Sequence, residues 1–291
     1  MPPFAGNNPV ESSGAKDDLF IDEAIVSRSL RLLTYKKNVI LQGPPGSGKT
    51  YFASFLARNI VSGNYDERIV KVQFHQAYSY DDFIRGYRPS HSGWIINDGV
   101  FLTLCQKAKA NPSDNYVLII DEINRGDLNQ IFGEALTLLE SSKRGSKVSL
   151  VYGRDESDRI FSIPPNVYVI GTMNTADRGL THIDYATRRR FAFIDVPSAI
   201  GSEVFERYVN SKNSKVLEAA VGLVNDFNES IRNTLGEGYF IGHSYFCGLD
   251  GDDLDWRVRE VVLSEILPLI EEYLMDDREQ YQYWKDQFAV I

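Results

Sequence analysis

The segment Gly43–Thr50 constrains this chain more than any other part of the sequence. Its residues, Gly-Pro-Pro-Gly-Ser-Gly-Lys-Thr, fill every fixed position of the phosphate-binding pattern G-x-x-x-x-G-K-[ST]. The apolar run Val39–Leu41 precedes it, and the apolar segment 51–60 that follows predicts a helix. Glycines let successive amide N–H groups point at one anion, and the N-terminal dipole of the helix adds to their field. The order of strand, loop and helix therefore predicts a site for nucleotide phosphates.

Every residue of this loop is assigned to the nucleotide: Gly43, Pro44, Pro45, Gly46, Ser47, Gly48, Lys49 and Thr50. In such loops the lysine reaches the β- and γ-phosphates, and the threonine hydroxyl is a ligand of Mg²⁺. A plain Gly/Pro-rich surface turn is the alternative, but a turn has no need of a Lys-Thr pair at its end. We therefore predict that Lys49 binds phosphate and that Thr50 binds the metal.

A second motif, which is acidic, supports the assignment of the phosphate loop. Tyr116–Ile120 is continuously apolar, which is typical of a parallel strand buried on both faces, and it ends in Asp121-Glu122. Asp121 is a candidate Mg²⁺ ligand beside Thr50, and Glu122 is a candidate for polarising the water that attacks the γ-phosphate. Taken alone, an acidic pair after an apolar run is often only a strand exit. Together with the phosphate loop it predicts hydrolysis of a nucleoside triphosphate.

The composition narrows the class of protein. The 291 residues suffice for a large α/β domain and a smaller one. With 31 basic and 40 acidic side chains the net charge is −9, so the chain as a whole is no nucleic-acid-coating polycation. Any DNA contact must then come from a local patch, another domain or another subunit.

Cys105 and Cys247 form no disulfide framework or zinc motif. The sequence has neither a secretory leader nor an apolar run long enough to span a membrane, so we expect a cytoplasmic protein without membrane contact.

Patterning along the chain predicts three parts: a flexible leader at 1–17, an α/β core at 18–197 and a helical lid at 198–291. In the core, apolar periodicity predicts helices at 22–33, 51–60, 101–109 and 127–140, and strands at 69–74, 116–120, 167–172 and 191–196. Residues 78–89 are expected to form a loop with a short helix. The short runs 148–151 and 160–163 predict an inserted β-hairpin. From Glu203 onward only helices are expected.

Two further groups of polar residues are candidates for the site. Asn174 lies just past a predicted strand end, where open α/β sheets bind ligands, and could fix the attacking water or sense the γ-phosphate. A turn-forming asparagine is the alternative. Arg188, Arg189 and Arg190 end a helix, where cations are favoured anyway. Such arginines are also what an arginine finger requires, and Arg189, with Arg190 second, is the candidate.

These elements together resemble the AAA+ superfamily of ring-forming nucleoside triphosphatases. The core would then be a P-loop fold with a parallel sheet flanked by helices and a β-hairpin insertion, followed by an all-helical lid. From about Asn38 to the C-terminus the chain resembles the McrB family more narrowly. The segments that carry this resemblance are Phe74–Pro89, Ile120–Gly126, Met173–Arg178 and Ile241–Phe246. McrB proteins are motor subunits of restriction systems that cleave DNA containing modified cytosine.

The resemblance implies properties that the residues alone do not show. It implies that the substrate is GTP with Mg²⁺, that the chain forms homo-hexameric rings, and that a McrC-like endonuclease stimulates hydrolysis on DNA. It also implies that Asn124 acts with Glu122 on the water, that Asn174 and Asp177 help to position it, and that Arg189 or a neighbour acts across the subunit boundary. The sequence has no Asn-Lys-x-Asp motif for guanine, so the residues alone favour ATP.

Several alternatives remain open at the level of the sequence. The segment before the first strand is too short for the DNA-recognition domain that usually precedes this motor, so recognition would reside elsewhere or in a part removed. A sensing arginine on the lid could be Arg232, Arg257 or Arg259. His243 is more simply a packed, hydrogen-bonded histidine than a nucleotide contact. Competing functions are an ATP-driven protein remodeller of the MoxR type and a nucleotide-loaded scaffold, and the Asp121-Glu122 pair disfavours the scaffold.

Overall fold

The chain is described by a computed structural model that covers residues 19–63, 65–91, 93–177 and 183–291. The predicted leader at 1–17 and Arg178 lie outside these ranges. The chain divides into two compact units. The first unit contains the described residues within 19–41, 50–173 and 178–194. The second contains Gln42–Lys49, Asn174–Asp177 and Asp195–Ile291.

The elements follow one another in the order that an α/β core with a helical C-terminal part requires. The strands are β1 Asn38–Gly43, β2 Ile69–Gln73, β3 Arg85–Ser90, β4 Gly93–Asp98, β5 Tyr116–Asp121, β6 Val148–Ser149, β7 Ile160–Phe161, β8 Val167–Asn174 and β9 Ala192–Asp195. The helices are α1 Glu23–Lys36, α2 Lys49–Ile60, α3 Tyr65–Arg68, α4 Tyr80–Phe83, α5 Val100–Ala110, α6 Leu128–Phe132, α7 Tyr185–Arg188, α8 Glu203–Ser211, α9 Lys215–Ile231, α10 Leu254–Val261, α11 Leu267–Tyr273 and α12 Arg278–Phe288.

The main sheet of the described residues has the strand order β2-β5-β8-β1-β9. Strands β2, β5 and β8 pair in parallel, with Val72 opposite Ile120 and Ile120 opposite Gly171. The residues Tyr116–Ile120 are all buried, as expected for a parallel strand covered on both faces. All four strands predicted from the sequence are confirmed, with small shifts at their ends. Asp121 and Asn174 are the last residues of β5 and β8.

Helix packing in the first unit follows the apolar spacing of the sequence. The Asp22 carboxylate accepts from the Ala24 N–H at 2.6 Å and caps α1, which ends where Lys37 adopts a left-handed φ of 67°. On α5 the buried face includes Phe101, Leu104 and Ala108. Phe101 stacks on Phe83, with ring centroids 5.0 Å apart, within the hydrophobic core of this unit. The predicted helices at 22–33, 51–60 and 101–109 are therefore confirmed.

The prediction of a loop with a short helix at 78–89 was incomplete. The short helix α4 exists, but β3 follows it and pairs antiparallel with β4, with Arg85 opposite Asp98. Pro89 inside β3 and the polar sequence around it concealed the hairpin, because proline usually argues against a strand. Ion pairs of the buried Arg85 hold this hairpin in place, and the apolar pattern of the sequence does not show them. The Arg85 guanidinium, 2% exposed, pairs with Asp98 at 2.7 Å and with Asp158 at 3.1 Å.

The single helix predicted at 127–140 was wrong. Asp127 caps α6 by accepting from Asn129 and Gln130, but the helix ends at Gly133 and a 3-10 segment continues to Leu139. Gly133 has a φ of 49°, and a Cβ there would lie 2.8 Å from the Tyr80 ring. The apolar spacing survives the change of helix type, so the periodicity alone could not show the break.

The remaining predictions of local structure are confirmed. The inserted hairpin forms, although only β6 and β7 pair, Val148 with Phe161 and Ser149 with Ile160. From Glu203 to the C-terminus the structure contains helices and no strand, all of it within the described part of the chain. Ser202, Ser214 and Asp277 cap α8, α9 and α12 with their side chains. None of the helices in the described ranges is long and apolar enough to cross a membrane.

Candidate nucleotide site

The phosphate loop lies in the second unit, between β1 and α2. Gly46 and Gly48 have φ values of 73° and 78°, a backbone conformation that residues with a side chain rarely adopt. At Gly43 a Cβ would lie 2.2 Å from the carbonyl oxygen of Val196, so that position also excludes a side chain. The glycines of the motif are thus explained by the path of the backbone, which is the property that phosphate cradles require.

Lys49 is buried against the loop that it follows. Its side chain is 7% exposed, and Nζ donates to the carbonyl oxygens of Gly43 at 3.1 Å and Pro44 at 2.7 Å. Ser47 is fully buried, and its hydroxyl has no hydrogen-bond partner among the described residues. A buried ammonium at a glycine-rich turn provides a positive charge for phosphate oxygens.

A segment of the lid is bonded to this loop through its backbone. The Gly242 N–H donates to the Pro45 carbonyl at 2.8 Å, and the Ser244 N–H donates to the Gly46 carbonyl at 2.9 Å. A Cβ on Gly242 would lie 1.9 Å from the carbonyl carbon of Gly46. Sequence reasoning missed this role of Gly242 and Ser244. The family resemblance of Ile241–Phe246 was the only signal that could have pointed to it.

His243 lies between these two bonds and is 4% exposed. Its Nδ1 accepts from the Ala199 N–H at 3.1 Å, and its ring packs edge-on against Phe205 with centroids 5.5 Å apart. Burial lowers the pKa of His243 to about 4, so the imidazole is neutral near pH 7. His243 is therefore packed and hydrogen-bonded, as its simpler interpretation held.

The first unit carries the candidate metal ligands. Thr50 directly follows Lys49 in the sequence, and its hydroxyl donates to Asp121 Oδ1 at 3.0 Å. The same carboxylate oxygen accepts a short hydrogen bond from Thr172 on β8, and Thr172 Oγ1 accepts from the Glu122 N–H at 3.3 Å. Thr172 connects both acidic residues, yet the sequence pattern did not single it out. A threonine inside an apolar strand gives no signal of a bond to the neighbouring strand.

Glu122 adopts an unusual backbone conformation. Its φ of 51° and ψ of 48° place a non-glycine residue in the left-handed region, which costs about 1–3 kcal/mol. Such residues occur at helix ends, as at Lys37, and cluster at functional sites. The side chain is 17% exposed, and one of its carboxylate oxygens accepts from Arg125 Nε at 3.3 Å. The carboxylate is thus held by both its backbone and a neighbouring cation.

The other predicted water-positioning residues have different surroundings. Asn124 is 5% exposed, and its Oδ1 is buried with no hydrogen-bond partner in the described part of the chain. Asn174 is half-buried at the end of β8. Asp177 belongs to the second unit and lies near Tyr273, whose pKa is raised by burial and by charges that include Asp177. Their roles toward a water molecule stay predictions.

The three arginines are placed differently from one another. Arg188 is exposed and lies over the Phe193 ring, 5.0 Å from its centroid. Arg189 is also exposed. Arg190 has a side chain that is 10% exposed, and its guanidinium lies 4.0 Å from Glu140. Arg190 therefore faces its own unit, whereas Arg189 presents its charge to solvent.

The oxygen atoms of Thr50 and Asp121 fit Mg²⁺. This ion is usually held by one or two carboxylates, substrate phosphates and water rather than by an all-protein cage. No group of three His, Cys, Asp or Glu side chains in the described ranges could hold a metal by itself. Thr50 and Asp121 would bind the ion, which would supply charge neutralisation at the phosphates when bound.

Comparison with known proteins shows which family the sequence of this chain matches. A family model for the AAA domain of the dynein-related subfamily matches residues 38–191, and a model for the McrB alpha-helical lid domain matches residues 219–282. The chain is 43% identical over 298 aligned positions to the type IV methyl-directed restriction enzyme EcoKMcrB subunit of Escherichia coli strain K12, which covers 99% of this chain. The chain belongs to the McrB family. The predicted resemblance and the AAA fold with a helical lid are thereby confirmed.

A second relative is more distant. The type II restriction enzyme BsuMI component YdiS of Bacillus subtilis strain 168 is 28% identical over 200 residues, or 56% of this chain. The chain spans 64% of the length of the Escherichia coli protein and 57% of the length of the Bacillus subtilis protein. Both relatives are named as parts of restriction enzymes.

Proposed function

We propose that this chain is the nucleoside-triphosphate-hydrolysing motor of a restriction complex acting on modified DNA, with GTP as its substrate. The observation that supports it most is the hydrogen bond from Thr50 to Asp121, because it joins the end of the phosphate loop to the acidic end of β5. These are the two oxygens that a nucleotide-bound Mg²⁺ needs from the protein. The names of the two relatives support the restriction role.

In this proposal the residues divide the work as follows. The loop Gly43–Thr50 binds the phosphates, with Lys49 as the charge, while Thr50 and Asp121 bind Mg²⁺. Glu122 accepts the proton of the attacking water, and Asn124, Asn174 and Asp177 position that water. The left-handed backbone of Glu122 supports this role, because backbone conformations of this cost cluster at active sites.

The chain would act as a ring. We propose homo-hexamers in which Arg189 reaches the γ-phosphate of a neighbouring subunit and stabilises the charge of the transition state. The exposure of Arg189 supports this assignment, and the burial of Arg190 against Glu140 favours Arg189 over Arg190. A McrC-like endonuclease would be the partner that cleaves DNA. The chain would contact DNA through the complex or through a separate recognition domain.

The core and the lid are proposed to be the functional parts, with boundaries at 18–197 and 198–291. The net charge of −9 is consistent with DNA contact through other parts of the complex.

The decisive experiment compares GTP and ATP side by side. Phosphate release should require Mg²⁺ and should be much faster with GTP than with ATP. Equal or faster hydrolysis of ATP would instead favour an ATP-driven remodeller of the MoxR type. The residues alone do not exclude adenine, because the sequence has no Asn-Lys-x-Asp motif for guanine. Tight binding without turnover of either nucleotide would instead support a scaffold.

A further inference from the structure

The imidazole of His243 lies against the phosphate loop inside the second unit. If a Cβ were built on Gly48, Nε2 of His243 would lie 3.4 Å from it and Cε1 3.7 Å from it. The residues on both sides of His243 fix this approach, because Gly242 and Ser244 are bonded to the carbonyl groups of Pro45 and Gly46. The ring is thus held at the loop by the two lid residues on either side of it.

The hydrogen bonding of the ring determines which nitrogen carries its proton. A neutral imidazole has one N–H donor and one acceptor nitrogen. Because Nδ1 accepts from the Ala199 N–H at 3.1 Å, the proton lies on Nε2. The nitrogen beside Gly48 is therefore a hydrogen-bond donor without a net charge.

Resting on the proposed nucleotide function, we propose that His243 donates a hydrogen bond from Nε2 to a phosphate oxygen of the nucleotide bound at Gly48. An oxygen that accepts from the Gly48 amide lies about 2.9 Å from the amide nitrogen. Nε2 of His243 approaches the same residue, at 3.4 Å from its Cβ position. Loops of this kind hold the α- and β-phosphates with their backbone N–H groups. His243 thereby makes the lid part of the phosphate site.

A contact to the α- or β-phosphate should affect GDP and GTP alike. The α- and β-phosphates are present in both GDP and GTP, so loss of the His243 donor should weaken both nucleotides to a similar degree. A residue that senses the γ-phosphate would weaken GTP alone. The ratio of the two affinities therefore separates a contact at Gly48 from a sensing role.

Two substitutions separate the donor from the packing role. In His243→Gln the amide nitrogen can take the place of Nε2, whereas in His243→Asn the amide oxygen can take the place of Nδ1 and keep the Ala199 bond. We expect His243→Asn to bind GDP and GTP about tenfold or more weakly, because hydrogen bonds to charged groups are among the strong ones. His243→Gln should stay within about threefold of the unaltered chain.

The measurement is equilibrium binding of GDP and GTP with Mg²⁺, together with the melting temperature of each variant. Equal loss in both variants, a larger loss in His243→Gln, or unchanged binding in both would overturn the proposal. If the unaltered chain binds neither nucleotide, the proposed function fails instead. If it binds and Lys49→Ala does not, that function stands whatever the histidine variants do.

A measurement on the unaltered chain covers the case in which a variant does not fold. With ¹⁵N-labelled histidine, the Nε2 resonance of His243 should shift when GDP is added to saturation, and Nε2 should stay protonated. Absence of a shift at saturating GDP would overturn the proposal.

Discussion

The phosphate loop and the acidic strand end are built by different means. In the second unit the loop is shaped by its main chain, and the lid holds it through the N–H groups of Gly242 and Ser244. In the first unit the side chains of Thr50 on α2 and Thr172 on β8 both hydrogen-bond to the carboxylate of Asp121 at the end of β5. We therefore expect the loop to be sensitive to a Cβ added at its glycines, whereas the acidic strand end should be sensitive to the loss of single hydroxyl and carboxyl groups.

The largest effect should come from Lys49, the side chain that supplies positive charge to the loop. Lys49→Ala removes the buried ammonium beside Gly43 and Pro44, so nucleotide affinity should fall by about 100-fold or more. Titration calorimetry with GTP and Mg²⁺ measures this. Lys109→Ala removes an exposed lysine at the end of α5 and serves as the control. Affinity near that of the unaltered chain in Lys49→Ala would show that the loop is not the site.

The adjacent arginines extend the comparison to contacts between subunits. Arg189→Ala should lower turnover by about 100-fold while the melting temperature is unchanged, because an exposed arginine that stabilises a neighbour's transition state contributes little to folding. Arg190→Ala should mainly lower the melting temperature, since it leaves Glu140 without its buried partner. Phosphate release and thermal unfolding of both variants measure the difference.

Mixed rings test whether Arg189 acts across the boundary. Rings assembled from Arg189→Ala and Lys49→Ala subunits should recover part of the turnover, because intact loops and intact arginines meet at some interfaces. Mixed rings that form but show no recovery would mean that Arg189 acts within its own subunit or only structurally.

Gly242→Ala tests the backbone attachment of the loop. The new methyl group would lie 1.9 Å from the carbonyl carbon of Gly46, so the lid segment must leave the loop and nucleotide affinity should fall by about tenfold or more. Gly222→Ala is the matched control. Nothing lies within 4 Å of that Cβ inside α9, and the change should stabilise the chain by about 0.5–1 kcal/mol. Unchanged binding in Gly242→Ala would show that the contact between lid and loop is dispensable.

Thr172→Val tests the side-chain cluster. The isosteric change removes the hydroxyl that bonds to Asp121 and to the Glu122 N–H, so turnover should fall by about tenfold and more Mg²⁺ should be needed. Nucleotide affinity should change little, because the substitution leaves the loop glycines and Lys49 unaltered. Thr172→Ser keeps the hydroxyl and should retain most of the turnover. If valine and serine give equal rates, the hydroxyl plays no part.

The sequence was sufficient for those features that have a local pattern. The glycines of the phosphate loop, the apolar run before Asp121 and the helical lid all carry their own signals, and the structure contains each of them. It was insufficient where a distant partner decides the structure. The hairpin of β3 and β4 depends on the buried pairs of Arg85 with Asp98 and Asp158, which no local pattern shows.

Thr172 and Gly242 illustrate the same limit at the candidate site. Each acts through a contact to a residue far away in the sequence, Asp121 for the threonine and Gly46 for the glycine. The break of the helix at Gly133 has a similar cause, because the ring of Tyr80 occupies the place of a side chain there. Apolar periodicity reports which face is buried and contains no information on such pairs.

The most direct test of the central claim, that the loop binds the nucleotide and the end of β5 hydrolyses it, is to measure binding and turnover on one sample of Glu122→Gln. The substitution keeps the shape of the side chain and removes the base, so GTP should bind with nearly unchanged affinity while phosphate release falls by about 100-fold or more. Glu156→Gln, which changes an exposed residue of the inserted hairpin, should leave both unchanged. Turnover that survives in Glu122→Gln would contradict the account, because the water would then be activated elsewhere.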